Sequence, residues 1–116
     1  MIAGPDGEPV HFDAPEDFHA WLEENHDGAD DVWVAIRKKG SKRAGIALAE
    51  AQDQALRFGW VDSLARKVDD DAYKLRFTPR RPGGNWTDAN LARAEELRAQ
   101  GEMHEAGIRA FEQRRR

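Results

Sequence analysis

The chain has 116 residues, no cysteine and a formal net charge of −4. That length suits one domain with a modest core and is too short for two. The lack of cysteine excludes disulfides, thiolate metal sites and a cysteine nucleophile, and no run of 18 apolar residues predicts a membrane span. Residues 1–6 lack the basic and apolar regions of a secretory signal, so we expect a cytoplasmic protein without membrane insertion.

Charge is distributed unevenly along the chain. Residues 1–31 contain ten acids and no lysine or arginine, whereas residues 32–116 carry the other 12 acids and all 18 bases, a net of +6. A one-sided positive field gathers anionic ligands. The alternative is that the acidic first segment folds over the basic remainder and cancels its field.

The first predicted element is a helix that starts near Asp13 and ends near Asn25 to Gly28. Asp13 is expected to cap it, with Pro15 in its first turn. We expect residues 1–11, before it, to be flexible or loosely docked. One apolar face at helical spacing is predicted to pack inward; it comprises Ala14, Phe18, Trp21 and Leu22.

A strand and a second helix follow. Apolar residues at successive positions from Val32 to Ile36 predict a strand that is partly covered on both faces. After a polar, glycine-punctuated loop at residues 38–45, a helix is predicted from about Ala47 to Phe58, with Gly59 as its C-terminal stop. Its predicted inward positions are Leu48, Ala51, Ala55 and Phe58.

The remaining pattern completes an α+β domain spanning residues 1–116. Strands at 63–68 and 73–78 are predicted on either side of an aspartate-rich turn, and Pro79 ends the pairing because it has no backbone donor. A third helix, capped by Asn85 or Thr87, is expected to run to about Gln100, and a short fourth helix holds Ile108 and Phe111. The predicted fold is a small, mostly antiparallel sheet of about three strands packed with about four helices.

One stretch concentrates binding chemistry in or beside predicted turns. A pair of arginines precedes Gly83-Gly84 and the start of the third helix, and a helix N-terminus flanked by guanidiniums suits a phosphate or carboxylate. The structural alternative is that one arginine pairs with Asp62 or Asp88 and the glycines only form a tight turn. The candidate ligand-binding residues are Trp60, Asp62, Arg80, Arg81, Trp86 and Asn90.

The individual candidates carry different expectations. Trp60 is expected to be partly exposed and to wall the pocket with Trp86, whereas Trp21 and Trp33 are expected in the core. Asp62 is a weak candidate for a general base, since partial burial raises a carboxyl pKa; capping a turn or holding an arginine is the commoner role. Asn90 faces the same pocket or is a surface helix residue.

Metal and cofactor chemistry is not predicted. His19, Glu23 and His26 share one face of the first helix, a spacing that can hold a metal ion. No second cluster of ligands accompanies them, and the solvated face of an amphipathic helix produces the same letters. We therefore expect neither a metal nor a cofactor.

Six blocks, in order and at matching intervals, resemble the YdeI/OmpD-associated family, also labelled bacteriocin-protection proteins. The resemblance covers about residues 12–111. The blocks are Phe18-x-x-Trp-Leu-x-x-Asn-His26, Val32-Trp-Val with Lys38-Lys39, Ala55-Leu-x-Phe-Gly-Trp-x-Asp-Ser63, Arg76-Phe-Thr-Pro-Arg-Arg81, Asn85-Trp-Thr-x-x-Asn90 and Leu97-x-x-x-Gly-x-Met-x-x-Ala-Gly107.

The resemblance implies a bacterial cytoplasmic protein linked to resistance against cationic antimicrobial peptides, with no established reaction or cofactor. The chain departs from the family in two ways. Arg57 stands where members commonly have cysteine, and the Arg/Lys-rich C-terminal region of many members has no counterpart here. If the activity needs that region, we expect a narrower function or a partner that supplies it.

Three functional hypotheses remain open. The first is a binding module whose basic and aromatic pocket holds a small anionic ligand. The second is an enzyme that uses the same pocket, although the sequence contains no catalytic motif. The third is nucleic-acid or protein binding through the basic surface of residues 37–43, 66–81 and 109–116. The acidic overall charge disfavours nucleic acid. The sequence does not decide whether the protein is a monomer or a homodimer. We favour the first.

Overall fold

The computed structural model describes residues 7–81 and 86–113. Within these ranges, three antiparallel strands lie in the order β1-β3-β2 and four helices pack with them, which confirms the predicted α+β class. In this part of the chain no helix is both long and apolar enough to cross a membrane. The elements in chain order are α1 (Pro15–Asn25), β1 (Val32–Arg37), α2 (Leu48–Arg57), β2 (Trp60–Lys67), β3 (Ala72–Pro79), α3 (Asp88–Ala99) and α4 (Glu105–Glu112).

The main core lies between one face of the sheet and helices α1 and α2. In the β1–β3 register Val32 lies opposite Phe77, Val34 opposite Leu75 and Ile36 opposite Tyr73. Paired residues share a face of the sheet, so this register collects apolar side chains on the side that the helices cover. The other buried members of this cluster are Phe12, Phe18, Leu22, Ile46, Ala51, Ala55, Phe58 and Trp60.

The outer edge of β1 is covered by short stretches of chain on either side of it. The backbone of Val10 donates to the Trp33 carbonyl at 2.8 Å and accepts from the Ala35 N–H at 3.0 Å, and Arg37 N–H donates to the Ile46 carbonyl at 2.9 Å. Val10 is therefore docked on the edge of β1 by two backbone hydrogen bonds. Residues 1–6 lie outside the described part.

The opposite face of the sheet is only partly covered. Trp33 is buried there, as predicted for a core tryptophan, with the Lys74 ammonium 4.8 Å from its ring centroid and Gly7 packed against its indole. Arg76 donates to Asp31 at 2.8 Å. These contacts confirm that β1 is covered on both sides.

Three local predictions are wrong. Helix α1 begins after Ala14, and no side chain caps it, so Asp13 is not its cap. Leu48 is 40% exposed because, as the first residue of α2, it lies beyond the core. Strand β2 begins at Trp60 rather than at Ser63, because Gly59 turns the chain at φ 76° directly from α2 into the strand.

A second, smaller cluster joins the end of α2 to α3 and α4. Its buried residues are Leu56, Ala94, Leu97 and Phe111. The Arg57 carbonyl, at the end of α2, accepts a 3.0 Å hydrogen bond from His104 N–H. Gly107 lies directly over the same carbonyl, with no room for a side chain. Helix α4 is therefore held against the C-terminal end of α2 at backbone distance.

Replacing Gly107 by alanine is expected to destabilise the protein although alanine is the better helix former. The added methyl would overlap the Arg57 carbonyl, and such overpacking costs about 1–3 kcal/mol. Urea denaturation of Gly107→Ala measures the loss. Gly28→Ala is the control, since its methyl meets nothing; equal stabilities of the two variants would contradict this packing.

Asp53 is expected to stabilise the junction of α2 and α3 at neutral pH. Its carboxylate accepts from Arg93 Nε at 2.6 Å and from Arg57 Nη2 at 3.2 Å, and these bonds lower its pKa despite partial burial. The stabilisation is present above the ordinary carboxyl pKa of about 3.9 and is lost as pH falls through the lower folded-state value.

Asp53→Asn should therefore cost about 1–3 kcal/mol at neutral pH and weaken the dependence of unfolding free energy on pH in the acid range. Urea denaturation at several pH values, with the exposed Asp27→Asn as control, measures both effects. An unchanged acid dependence would exclude Asp53 as its source.

Candidate functional site

Trp60 lies in the core and not in the predicted pocket. Its side chain is 2% exposed and packs edge-on against Trp21, with 5.9 Å between ring centroids. The expectation of partial exposure is wrong, because Trp60 is a strand residue on the core side of the sheet rather than a turn residue. Trp21, by contrast, is only half-buried.

Arg80, Trp86 and Asn90 are brought together. The Arg80 guanidinium lies over the Trp86 ring, 4.2 Å from its centroid, and Nη2 is 3.4 Å from Asn90 Oδ1. The Arg80 backbone N–H donates to the Gly59 carbonyl at 2.9 Å. Burial lowers the pKa of Arg80, and the charge of Asp62 opposes that effect. Arg80 therefore connects the end of β3 to α3 from a half-buried position.

Asp62 lies on β2 opposite Phe77. It is half-buried, and Gln52 Nε2 is 3.4 Å from its Oδ1. Burial raises the pKa of Tyr73, and the negative charge of Asp62 raises it further. Asp62 thus acts electrostatically on both Tyr73 and Arg80.

The predicted site also includes Arg81 and the start of the third helix. Arg81 is exposed, and Gly83, Gly84 and Asn85 lie outside the described residues. Thr87 caps α3, as one of the two predicted alternatives, by accepting a 3.1 Å hydrogen bond from Asn90 N–H.

A cavity that the sequence analysis did not identify lies where β1 ends and α2 begins. Its volume is about 490 Å³, within the range of small-molecule sites. Cations form one side of it, and the first turn of α2 and a phenol form the rest. The lining residues are Arg37, Lys38, Lys39, Gly40, Ala47, Leu48, Ala49 and Tyr73.

The backbone of the basic wall is fixed. Lys38 N–H donates to the Asp71 carbonyl at 2.9 Å and Ser41 N–H to the Lys38 carbonyl at 3.0 Å, while Arg37 Nε donates to the Gly45 carbonyl at 3.3 Å. Within the described ranges, neither lysine forms an ion pair. The sequence signal is the Lys38-Lys39 pair directly after a strand. The basic cluster of residues 38–43 can contact phosphates, but without interleaved aromatics the pattern favours a solvated loop.

Two other basic residues near the sheet pair with carboxylates. Arg43 bridges Asp69 at 3.0 Å and Asp71 at 2.8 Å, and Arg76 pairs with Asp31. The latter pair joins the acidic first segment to the basic remainder, whereas the partners of Arg43 come from the basic part itself. The basic residues that line the cavity are Arg37, Lys38 and Lys39.

The histidines of α1 engage protein groups. His19 Nε2 lies 3.3 Å from Glu23 and its Nδ1 2.9 Å from Gln54, while His26 Nδ1 donates to the Leu22 carbonyl at 2.8 Å. In residues 7–81 and 86–113, no group of three or more acidic or imidazole side chains could hold a metal ion.

The fold and its cavity define a small α+β domain with a cation-lined cavity at the end of its sheet. A family model described as a domain of unknown function, DUF8412, matches residues 10–110. The chain belongs to this family. No curated protein and no solved structure matches it.

Arg80 is expected to contribute more to stability than its neighbour. Arg80→Gln removes the stacking on Trp86 and leaves a half-buried amide, at a cost of about 1–2 kcal/mol. Arg81→Gln, at an exposed position, should change the unfolding free energy by less than about 0.5 kcal/mol. Thermal and urea denaturation of the two variants measure the change in unfolding free energy. Equal changes in the two variants would contradict a structural role for Arg80.

Proposed function

We propose that this protein is a binding module for a small anionic ligand, and that the ligand occupies the cavity at Arg37, Lys38 and Lys39. The observation that supports this proposal most is the convergence of these three cations on a cavity large enough for a sugar phosphate or nucleotide. Lys38 and Lys39 have no acidic partner among residues 7–81 and 86–113, so their ammonium groups can exchange hydration water for phosphate or carboxylate oxygens.

The remaining walls suit the body of such a ligand. Leu48 is exposed at the cavity and supplies apolar surface, and the Tyr73 ring can pack against a sugar or base. Tyr73 has its pKa raised by burial, so its hydroxyl stays protonated at neutral pH and can donate a hydrogen bond.

The other hypotheses have less support. Arg80 and Asp62 act on one another and on protein neighbours, which favours a positioning role over acid-base chemistry for Asp62. Arg43 and Arg76 form internal ion pairs. Their charges therefore do not contribute fully to the continuous positive face that nucleic-acid binding needs.

The resemblance to the YdeI/OmpD-associated proteins suggests the physiological setting. We propose that the module acts in the bacterial cytoplasm, in a stress response of the kind that protects against cationic peptides. A cation-lined cavity repels such peptides, so the proposed role is recognition of an anionic metabolite rather than direct peptide capture.

The test is a thermal-shift screen against inorganic phosphate, sugar phosphates, nucleotides and small carboxylates at two salt concentrations. A ligand at 100 times its Kd stabilises the folded state by about 2.7 kcal/mol. We expect a hit that Lys38→Gln/Lys39→Gln abolishes. Arg66→Gln/Lys67→Gln is the matched control, because it also removes two exposed cations, from β2, and should retain binding.

Two outcomes would contradict the proposal. A hit that survives the lysine double variant and disappears in Arg80→Gln/Arg81→Gln would place the site at the end of β3. The absence of any stabilising anion across the panel would reject the anion-binding function.

A further inference from the structure

We propose that His104 is a proton-sensitive latch, whose protonation releases α4 from the rest of the domain. The inference concerns the α2–α4 junction and is independent of the cavity. Its basis is the unusual identity of the residue that caps α4: a histidine rather than one of the common capping residues serine, threonine, aspartate or asparagine.

The cap requires a neutral ring. His104 Nδ1 accepts a 3.0 Å hydrogen bond from Ala106 N–H, so the proton of the neutral imidazole is on Nε2. Protonation adds a hydrogen to Nδ1, so that both ring nitrogens become donors. Nδ1 can then no longer accept the hydrogen bond from Ala106 N–H, and two donors face each other. The same step puts a positive charge at the N-terminus of α4, where the helix dipole is also positive.

The surroundings of the ring oppose its charge. His104 stacks on Phe58 with 4.8 Å between ring centroids and lies 4.6 Å from the His26 ring. Burial and His26 lower the pKa of His104. The titratable and charged groups around it are Glu23 from α1, His26 directly after α1, Arg57 at the end of α2, Glu102 before the cap, and Glu105 and Arg109 from α4, with His19 across the same groove.

These groups determine the direction of the pH effect. Glu23 and Glu105 favour protonation, but burial, His26 and Arg109 oppose it more strongly. The folded state therefore binds the proton less readily than the unfolded chain. The stabilisation by His104 is complete above the ordinary histidine pKa of about 6.5 and is lost as pH falls through the folded-state value.

Loss of the cap acts at the start of a short helix. The helix has only eight residues. It is held at its start by the His104–Arg57 backbone bond, at Gly107 by close packing on the Arg57 carbonyl, and at its end by Phe111 in the smaller cluster and the exposed Arg98–Glu112 ion pair. Release of α4 would uncover Leu56 and Leu97, which are buried beneath it in that cluster.

The experiment is amide hydrogen exchange of α4 between about pH 7.5 and 5.5, expressed as protection factors. In the unaltered protein, α4 protection should fall about fivefold more than that of β3, the fold-change expected for one helix cap. His104→Asn keeps a capping oxygen that does not titrate, so its α4 protection should stay constant relative to β3. His11→Asn, at an exposed position away from α4, should behave like the unaltered protein.

Either of two results would overturn the proposal. One is an equal pH response of α4 in His104→Asn and in the unaltered protein. The other comes from nitrogen NMR of the imidazoles in the unaltered protein, and stands even if a variant fails to fold: a proton on Nδ1 of His104 at pH 7.5 would exclude the cap.

Discussion

The register of β1 on β3 is the constraint on which both the core and the candidate site depend. It places Val32, Val34 and Ile36 on the same face as their partners on β3, and a slip by one residue would move every one of them to the other face. In the same register Ile36, next to the last residue of β1, pairs with Tyr73. The cations at the end of the strand therefore lie near a phenol and the start of α2. Core packing and the position of the cavity therefore have one cause.

The partners of three arginines differ from the surroundings of Lys38 and Lys39. Arg57, Arg80 and Arg93 are held by carboxylates, an amide or an indole, where the planar guanidinium makes several directed contacts at once. Lys38 and Lys39 are compact charges on flexible chains next to open volume. This difference favours the lysines for ligand binding and the arginines for joining elements of the fold.

At the junction between α2 and α4, several contacts involve the same residue, Arg57. Arg57 supplies the acceptor for His104 N–H, its side chain pairs with Asp53 and Glu102, and Gly107 permits the close approach. The arginine thus gives this chain an electrostatic connection between α2 and the segment that leads into α4.

The sequence by itself determined the elements and their approximate limits, because local chemistry controls them. Helical periodicity located α1 to α4, Gly59 marks a helix end at positive φ, and Thr87, one of the two predicted caps, caps α3 through a contact three residues away. The strand pattern also identified Trp33 as buried. Only the tertiary structure decided that Trp60 is in the core, that Arg80 meets Trp86 and Asn90, and that Lys38 and Lys39 border a cavity. Those outcomes depend on which segments pack together across long separations in sequence, and periodicity along one segment carries no information about its distant neighbours.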